Sequence, residues 1–252
     1  MFVLLLLFIC SMYKCEEIRR RFEYKHSFRA PDLIDPTGKI IFWEVSGDAI
    51  ASSDRLRLAP SMQSKRGIAW NTKPMVEGEF WEVEISLQVT GPGRIGADGL
   101  AVWYTDTKGR IGSVFGANDY WRGLGVFFDT FDNNGQGDNP AILVLVNDGT
   151  KSFDHSKDGG SEVLGSCKGD FRNRPVPVKA KIQYHKNTVT VFVTNGLSFE
   201  SQYELCCTVS GVVLPKNGYF GLSAATGGIG DDHDVVSFST YSIVSPELPP
   251  VF

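Results

Sequence analysis

The chain has 252 residues, enough for one large domain or two small ones, and single all-β domains often reach this length. Apolar residues make up 42% and aromatic residues 12% of the chain, so a substantial core can form. The net charge of −4 argues against nucleic-acid binding, and the one dense basic cluster, Arg19–Arg20–Arg21, is too short to change that.

The N-terminus begins with an apolar run, FVLLLLFI at residues 2–9, which is followed by CSMYKC. This run is too short to span a bilayer, which takes about 20 apolar residues. It is typical of the hydrophobic region of a secretory signal, so we predict a signal peptide over residues 1–15. A buried first strand is the alternative.

Hydrophobic periodicity along the rest of the chain is two, which predicts strands. In WEVEISLQV at residues 81–89, apolar residues alternate with Glu82, Glu84, Ser86 and Gln88. Residues 178–194 alternate on both sides of HKN and predict an antiparallel hairpin. Further predicted strands are GLAVWYT, GVFFDTF, AILVLV, YFGLSAA and VVSFSTY. Since no stretch has the pattern of an amphipathic helix, we predict an all-β sandwich or jelly roll of two antiparallel sheets.

The segment VFFDTFDNNGQGDNP at residues 126–140 is unusually rich in Asp, Asn and Gly. It does not match an EF-hand loop in either register, because neither places the required Gly and Glu correctly and the flanks are strands. Read as extended, it would direct Asp129, the carbonyl of Phe131 and Asn133 to one side. Asp158, from FDHSKDGG, could join them. Such oxygen ligands suit calcium. The alternative is that the segment is a solvated turn that binds no ion.

Four more oxygen-bearing side chains follow in the same segment and could hold a second ion: Asp132, Asn134, Asp138 and Asn139. The number of calcium ions is therefore predicted as one or two. A solvated turn explains this NNGQGDN stretch equally well.

Cysteine usage favours an oxidising compartment. Cys10 and Cys15 lie in the predicted signal, which leaves Cys167, Cys206 and Cys207. None has the spacing typical of zinc or redox motifs. A bridge from Cys167 to either Cys206 or Cys207 would close a loop of about 40 residues, which contributes roughly 4 kcal/mol in the chain-entropy model. One thiol is left over, free or intermolecular. The proline-rich end, residues 245–252, is predicted to begin a linker.

Six strings in order connect the chain to a known family: RRFEYKHSF, SSDRLRLAPS, GRIGADGLAVWY, FFDTFDN with NPAI, DFRNRPVPVKAKI, and FGLSAATGG with DDHDV. The chain resembles the L-type (legume-like) lectins over residues 21–244, and within them the mannose-binding cargo receptors of the ER–Golgi intermediate compartment. The resemblance implies a concanavalin A-like sandwich that holds calcium and a mannose-rich glycan.

The resemblance also implies roles for individual residues. Asp129, the carbonyl of Phe131, Asn133 and Asp158 resemble the calcium ligands. The sugar site resembles one formed by Ser64, Asp98, Asn133, His155, Gly227, Gly228 and Ile229, with a cis peptide before Asp98. By the same resemblance Cys167 pairs with Cys206, which leaves Cys207 as the odd thiol.

His155 admits two interpretations. It is either a surface loop histidine or a neutral imidazole that hydrogen-bonds the sugar or the loop. In the second case its protonation in acidic compartments would weaken calcium and glycan binding.

The implied function is calcium-dependent binding of high-mannose N-glycans on glycoprotein cargo in ER-to-Golgi transport, within the lumen of the ER, the intermediate compartment and the Golgi. Related receptors continue into a helical stalk, a membrane span and a sorting signal. Homo-oligomers and a membrane anchor are therefore expected only for a full-length receptor, and secretion only if the chain ends at Phe252. A small EF-hand protein is the expected cofactor partner.

Two alternatives belong to other classes. A glycoside hydrolase on the same kind of sandwich would need two carboxyl groups at suitable separation, and Glu82 and Glu84 are the closely spaced pair in a strand. A solvated outer face explains both glutamates, so we predict a protein that is not an enzyme, with no catalytic residues. A scaffold without sugar binding would have lost some site residues, whereas all of them are present here.

Overall fold

The computed structural model describes residues 19–244. The predicted signal peptide, the predicted linker, Cys10 and Cys15 lie outside the described residues. Within residues 19–244 the backbone forms 17 β-strands and three 3-10 helices at Tyr24–His26, His155–Lys157 and Gly160–Glu162. No helix in this part of the chain is long and apolar enough to cross a membrane.

The strands are β1 (Arg19–Phe22), β2 (Phe28–Arg29), β3 (Trp43–Gly47), β4 (Ile50–Ala51), β5 (Leu56–Ala59), β6 (Arg66–Asn71), β7 (Phe80–Thr90), β8 (Gly99–Thr105), β9 (Ile111–Val114), β10 (Arg122–Asp129), β11 (Ala141–Asp148), β12 (Gly165–Lys168), β13 (Val178–His185), β14 (Thr188–Val193), β15 (Glu204–Ser210), β16 (Tyr219–Ala225) and β17 (Asp232–Val244).

Two antiparallel sheets form the sandwich, which confirms the predicted fold class. The nine-stranded sheet runs β15-β14-β13-β7-β17-β5-β4, with β1 and β2 also paired to β17. The seven-stranded sheet runs β12-β11-β10-β8-β16-β6-β3. The predicted hairpin is β13 and β14, which pair antiparallel around Lys186 and Asn187.

The main core lies between the sheets and is built from alternating residues of each strand. On β7, Trp81, Val83, Ile85, Leu87 and Val89 are at most 2% exposed and belong to this core, as their period predicts.

The seven-stranded sheet is apolar on both faces. On β8, Leu100 and Val102 enter the main core, whereas Ala101 and Trp103 join a second cluster on the opposite face. Phe115, Trp121 and Phe153, from segments outside the sheet, pack in this second cluster. Because both faces of this sheet are covered by other parts of the protein, its strands have nearly continuous apolar sequences.

The two sheets are also joined covalently at one side. A disulfide links Cys167 on β12 to Cys206 on β15, the outermost strands of the seven-stranded and nine-stranded sheets on that side. This is the pairing that the family resemblance implies. Cys207 is free and half-buried.

One expectation about β7 is wrong. Glu82 does face away from the core, but it is completely buried rather than solvated. Because β1 pairs with β17 beside β7, the Arg20 guanidinium reaches Glu82 at 3.1 Å, and the Gln183 amide donates to the same carboxylate at 3.0 Å. Burial raises the pKa of the Glu82 carboxyl, and the Arg20 charge opposes that rise.

Candidate calcium and carbohydrate site

Four strand ends meet at one end of the seven-stranded sheet. Gly99 at the start of β8 lies opposite both Asp129, at the end of β10, and Ala225, at the end of β16. Ala225 in turn lies opposite Arg66, at the start of β6. The residues just beyond these ends therefore gather in space, although they come from four distant parts of the sequence.

The predicted calcium ligands lie around the end of β10. Asp129 is 2% exposed, and its carboxylate accepts the backbone N–H of Phe131 at 3.1 Å. Burial, together with the nearby negative charge of Asp158, raises the pKa of Asp129 to about 8. A buried carboxylate beside a second one is costly unless a cation or a proton compensates the charge.

The Asn133 side chain sits against two other oxygen atoms. Its amide oxygen lies 3.2 Å from the Phe131 carbonyl oxygen and 2.9 Å from Asp158 Oδ1. If the amide is turned, its nitrogen donates to both oxygens. With its oxygen in this position three oxygens converge, and Asn139 Nδ2 donates to one of them, the Phe131 carbonyl oxygen, at 3.0 Å. A cation among the three oxygens would stabilise this second arrangement.

Asp158 reaches this point from a different loop. It follows the 3-10 helix His155–Lys157 and has a left-handed backbone with φ 48°. Its Oδ2 accepts the backbone N–H groups of Asn133 and Asn134 at 3.2 and 3.1 Å, so the two loops are hydrogen-bonded together. Burial raises the pKa of Asp158, as do the charges of Asp132 and Asp138, while both N–H bonds lower it.

The ligand atoms that these residues offer are of the type that a hard cation binds. They comprise two carboxylates, an amide oxygen and a peptide carbonyl, and calcium takes 6–8 such oxygens. Within residues 19–244, no three His, Cys, Asp or Glu side chains group closely enough to hold a metal by themselves. An ion here would therefore depend on Asn133 and the backbone as well as on acids.

The conformation expected for this segment is wrong, even though its residues come together. Residues 129–133 were expected to be extended, but β10 ends at Asp129 and the chain then bends. The predicted strand GVFFDTF is correspondingly too long at its C-terminal end. Bending allows the Phe131 carbonyl and the Asn133 side chain to face Asp158.

The residues predicted for a second ion are largely engaged with the loop backbone. Asp132 accepts from the N–H groups of Gly135, Gln136 and Gly137, and Asn134 Oδ1 accepts from Gln136 N at 2.8 Å. Asn139 donates to the Phe131 carbonyl at 3.0 Å. Asp138 Oδ1, by contrast, is buried without a hydrogen-bond partner among the described residues. A second ion stays a prediction.

Asp98 lies beside the predicted calcium ligands, just before β8. The Ala97–Asp98 peptide is cis, as the resemblance implies. The Asp98 backbone is held on both sides, because its N–H donates to Ala225 O at 3.0 Å and its carbonyl accepts from Thr130 N and Oγ1 at 3.0 and 2.9 Å. Burial raises the pKa of the Asp98 carboxyl, and the charges of His155 and Arg66 lower it.

The Gly227–Gly228–Ile229 loop passes directly over the Asp98 carboxylate. A Cβ on Gly227 would lie 2.9 Å from Asp98 Oδ1, closer than real Cβ contacts allow, whereas a Cβ on Gly228 would meet nothing within 4 Å. Ser64 joins this loop through a backbone hydrogen bond from its N–H to Gly227 O at 3.0 Å, and its φ is 56°. The glycines thus let the loop approach Asp98 closely.

His155 lies at the edge of this group. It is exposed, its ring packs edge-on against Phe153 with centroids 4.9 Å apart, and its charge acts on Asp98. The structure therefore brings all the predicted sugar-site residues to one end of the sheet, and their roles stay predictions.

Several supporting residues were not assigned a role from the sequence. Arg172 and Asp231 form a buried bidentate pair with both N···O distances 2.8 Å. Asp231 N also donates to Ala97 O at 3.2 Å, and both Gly91 and Gly96 lie so close to the pair that neither could carry a side chain. The pair thus holds the loop that presents Asp98. DFRNRP and DDHDV, two of the strings that carry the resemblance, contain these residues.

Comparison with known proteins agrees with this geometry. The family model described as "Legume-like lectin family" matches residues 19–248. "Protein ERGIC-53" of Homo sapiens is 51% identical over 232 residues, which is 92% of this chain and 45% of the relative. "Vesicular integral-membrane protein VIP36" of Canis lupus familiaris is 35% identical over 89% of this chain and 65% of its own length. The chain spans about half the length of the ERGIC-53 relatives it matches.

A solved structure is similar over almost the whole chain. The VIP36 exoplasmic/lumenal domain in its "Ca2+/Man2-bound form" has a TM-score of 0.82 and 34% identity, covering 91% of this chain and 92% of that domain. The metal-free form of the same domain has a TM-score of 0.83 at 34% identity, covering 90% of this chain and 95% of that domain. The family match, the relatives and the fold agree, and the chain belongs to the legume-like lectin family.

Proposed function

We propose that this chain is a calcium-dependent lectin domain that binds high-mannose N-glycans on glycoproteins. The observation that carries the proposal is the convergence of the Asn133 amide group, the Phe131 carbonyl and the Asp158 carboxylate, next to the half-buried Asp98 carboxylate. The solved Ca2+/Man2-bound form of VIP36 supports the choice of ion and ligand.

The ion-binding residues in this proposal are Asp129, Phe131 through its carbonyl, Asn133 and Asp158. Calcium supplies positive charge that compensates the two carboxylates and fixes the bend after β10. Asn133 can use its oxygen for the ion and its amide nitrogen for a sugar hydroxyl, so ion binding orients the amide in advance. A second ion, at Asp132, Asn134, Asp138 and Asn139, belongs to the same proposal.

The sugar-binding residues are Asp98, Asn133, the Gly227–Gly228–Ile229 loop, Ser64 and His155. Mannose hydroxyls are neutral donors and acceptors, so a carboxylate and an amide can together bind two adjacent hydroxyls. Close packing of Gly227 over Asp98 brings backbone N–H groups near the same hydroxyls. His155 lies at the rim, where its protonation would add positive charge beside the ion.

The cellular part of the proposal rests on the relatives. We place the domain in the lumen of the ER, the intermediate compartment and the Golgi, where it recognises glycoprotein cargo for transport. A membrane anchor, oligomerisation and a small EF-hand partner would be properties of a longer protein. Nothing favours a hydrolase, because burial and the ion pair with Arg20 account for Glu82.

Calorimetric titration of calcium and of a high-mannose oligosaccharide tests the proposal. Wild-type protein should bind the oligosaccharide with calcium and lose all binding when the ion is chelated. Asn133→Ala should lose affinity for both the ion and the glycan, since one side chain serves both. Equal glycan binding by wild type and Asn133→Ala, or binding in the presence of chelator, would refute the proposal.

A glycine pair separates the sugar role from the calcium role. Gly227→Ala pushes a methyl group onto the Asp98 carboxylate, so glycan affinity should fall at least tenfold while calcium affinity stays unchanged. The matched variant is Gly228→Ala, whose methyl meets no protein atom within 4 Å, and it should keep more of the affinity. If the two variants lose the same glycan affinity, Asp98 is not the group that binds the sugar.

A further inference from the structure

Three large aliphatic side chains project into solvent next to the proposed sugar loop. Met62 is 58% exposed, Ile95 64% and Ile229 44%. Together they line one open hollow of about 550 Å³, and we call these three residues the aliphatic shelf. Single exposed apolar residues are common, but a group of three around one hollow indicates an interaction surface.

The shelf is continuous with the sugar site. Ile229 belongs to both, and Gly228 of the sugar loop lines the same hollow. Gln63, the neighbour of Ser64, donates through Nε2 to Gly228 O at 2.7 Å. A glycoprotein held through its glycan at Asp98 would therefore be presented beside the shelf.

The polar groups of the hollow are already used within the protein. Ser61 Oγ donates to Gly230 O at 2.8 Å, its N–H donates to Asp232 Oδ1 at 2.6 Å, and Gln63 is bonded to Gly228. Sugars need hydrogen-bonding partners for their hydroxyls, and this hollow offers few. Its chemistry suits an apolar side chain better than a further hexose.

One charge stands unpaired at the same place. Arg94 lines the hollow and is exposed, and its guanidinium has no ion-pair partner among the described residues. Arg55, by contrast, is paired with Asp54 and Asp234. An unpaired guanidinium beside an apolar surface complements a carboxylate next to an apolar side chain.

We propose that the aliphatic shelf and Arg94 bind a polypeptide segment of the glycoprotein whose glycan occupies the neighbouring sugar site. This inference rests on the proposed lectin function. The segment presents an aliphatic or aromatic side chain beside an Asp or Glu. The shelf adds affinity for suitable glycoproteins over the free glycan, and Met62, with its flexible thioether chain, adapts to different side chains.

An array of glycopeptides tests the proposal. All carry one identical high-mannose glycan on Asn, with a Leu-Asp or Phe-Asp pair two, five or eight residues away, or with Gly-Ser at the same places. Wild type should bind the best Leu-Asp or Phe-Asp glycopeptide about five- to tenfold more tightly than its Gly-Ser counterpart or the free glycan. Met62→Ser and Ile95→Ser should abolish this preference and leave free-glycan affinity within about twofold.

The array also includes Leu-Asn and Phe-Asn glycopeptides, and Arg94→Gln should reduce the preference for Asp over Asn next to the apolar side chain. Val213→Ser, which changes a 74% exposed aliphatic residue outside the shelf, is the control and should behave as wild type. Equal wild-type affinity for all glycopeptides would overturn the inference. So would an equal loss of free-glycan binding in the shelf variants, which would make the shelf a sugar subsite. Failure of wild type to bind free glycan would instead overturn the lectin function on which the inference rests.

Discussion

Asn133 and Glu82 show how much the surroundings of one residue decide. Asn133 lies in an exposed loop, yet its amide group is 2.9 Å from an oxygen of Asp158, which lies 25 residues further along the chain. Glu82 has the sequence pattern of a solvated strand position but is buried under Arg20. The residue type suggests the chemistry in both cases, while neighbours from distant elements determine the burial and the partners.

His233 provides a prediction at the residue scale. It lies on β17 and is fully buried, next to the backbone of Asp231. Burial lowers the pKa of His233 from 6.5 to about 4, although the charges of Asp231, Asp232 and Asp234 oppose this. The unfolded chain therefore takes up a proton near pH 6.5 that the folded protein takes up only near pH 4. His233 thus leaves stability intact above pH 6.5 and lowers it as pH falls toward 4.

Replacement by a group without charge should remove that loss. Between pH 7 and pH 5, His233→Leu should lose about 2 kcal/mol less unfolding free energy than wild type does, by the cost of about 1.4 kcal/mol per pH unit. Urea unfolding of both proteins at several pH values measures the difference. Parallel pH profiles would show that His233 takes up its proton equally well in the folded state.

At the scale of elements, the candidate site depends on loops that follow strand ends rather than on the strands themselves. The antiparallel register places the start of β8 between the ends of β10 and β16. The Arg172–Asp231 pair packs against the loop before β8 and holds it in place. A site of this kind needs rigid loops, and a buried ion pair with two hydrogen bonds provides rigidity without a regular element.

Removal of one partner of this pair should be costly. Arg172→Met leaves the Asp231 charge buried and uncompensated, and we expect the unfolding free energy to fall by about 3–5 kcal/mol. Glycan affinity should fall as well, since Asp231 N holds the Ala97 carbonyl beside Asp98. The double variant Arg172→Met/Asp231→Asn removes both charges and should recover part of the stability. Denaturant titration measures these effects, and a change below 1 kcal/mol in the single variant would contradict this role.

At the scale of the whole molecule, two sheets enclose one core, and a disulfide closes one side. Cys167 and Cys206 lie 39 residues apart on strands that belong to different sheets. The bridge therefore links the sheets directly and lowers the conformational entropy of the unfolded chain. The proposed calcium ligand Asp129 lies opposite Ala141 on β11, and the next residue, Ile142, lies opposite Cys167, so the proposed site and the bridge share the same region of the seven-stranded sheet.

Loss of this bridge should destabilise the protein globally. The double variant Cys167→Ser/Cys206→Ser should lower the unfolding free energy by about 3–4 kcal/mol in the chain-entropy model. The control is Cys207→Ser, which changes the free half-buried thiol and leaves the bridge intact. Burial raises the pKa of Cys207 to about 11, so alkylation of this thiol in the native protein at pH 8 should be slow. A double variant as stable as Cys207→Ser would disprove the role assigned to the bridge.

Much of the molecule follows from the sequence alone. Alternation of period two determines most of β7, β13 and β14, because side chains on a strand face opposite sides and only one face of these strands meets the core. β8 and β16 are recognised instead as short, nearly continuous apolar runs. The oxygen-rich composition after β10 identifies a candidate cation loop, and six strings identify the family. Short strands such as β4 and β9 escape this reasoning, since two to four residues carry too little periodicity.

Only the tertiary structure decides which distant residues meet. Asp98 and Gly227 are far apart in sequence, and pairing of β8 with β16 brings them into contact. The bend at residues 130–133, the burial of Glu82 and the Arg172–Asp231 pair likewise arise from contacts between separate elements. The physical reason is that periodicity reports the direction of a side chain from its own strand, whereas burial, charge compensation and ligand geometry depend on which strands become neighbours.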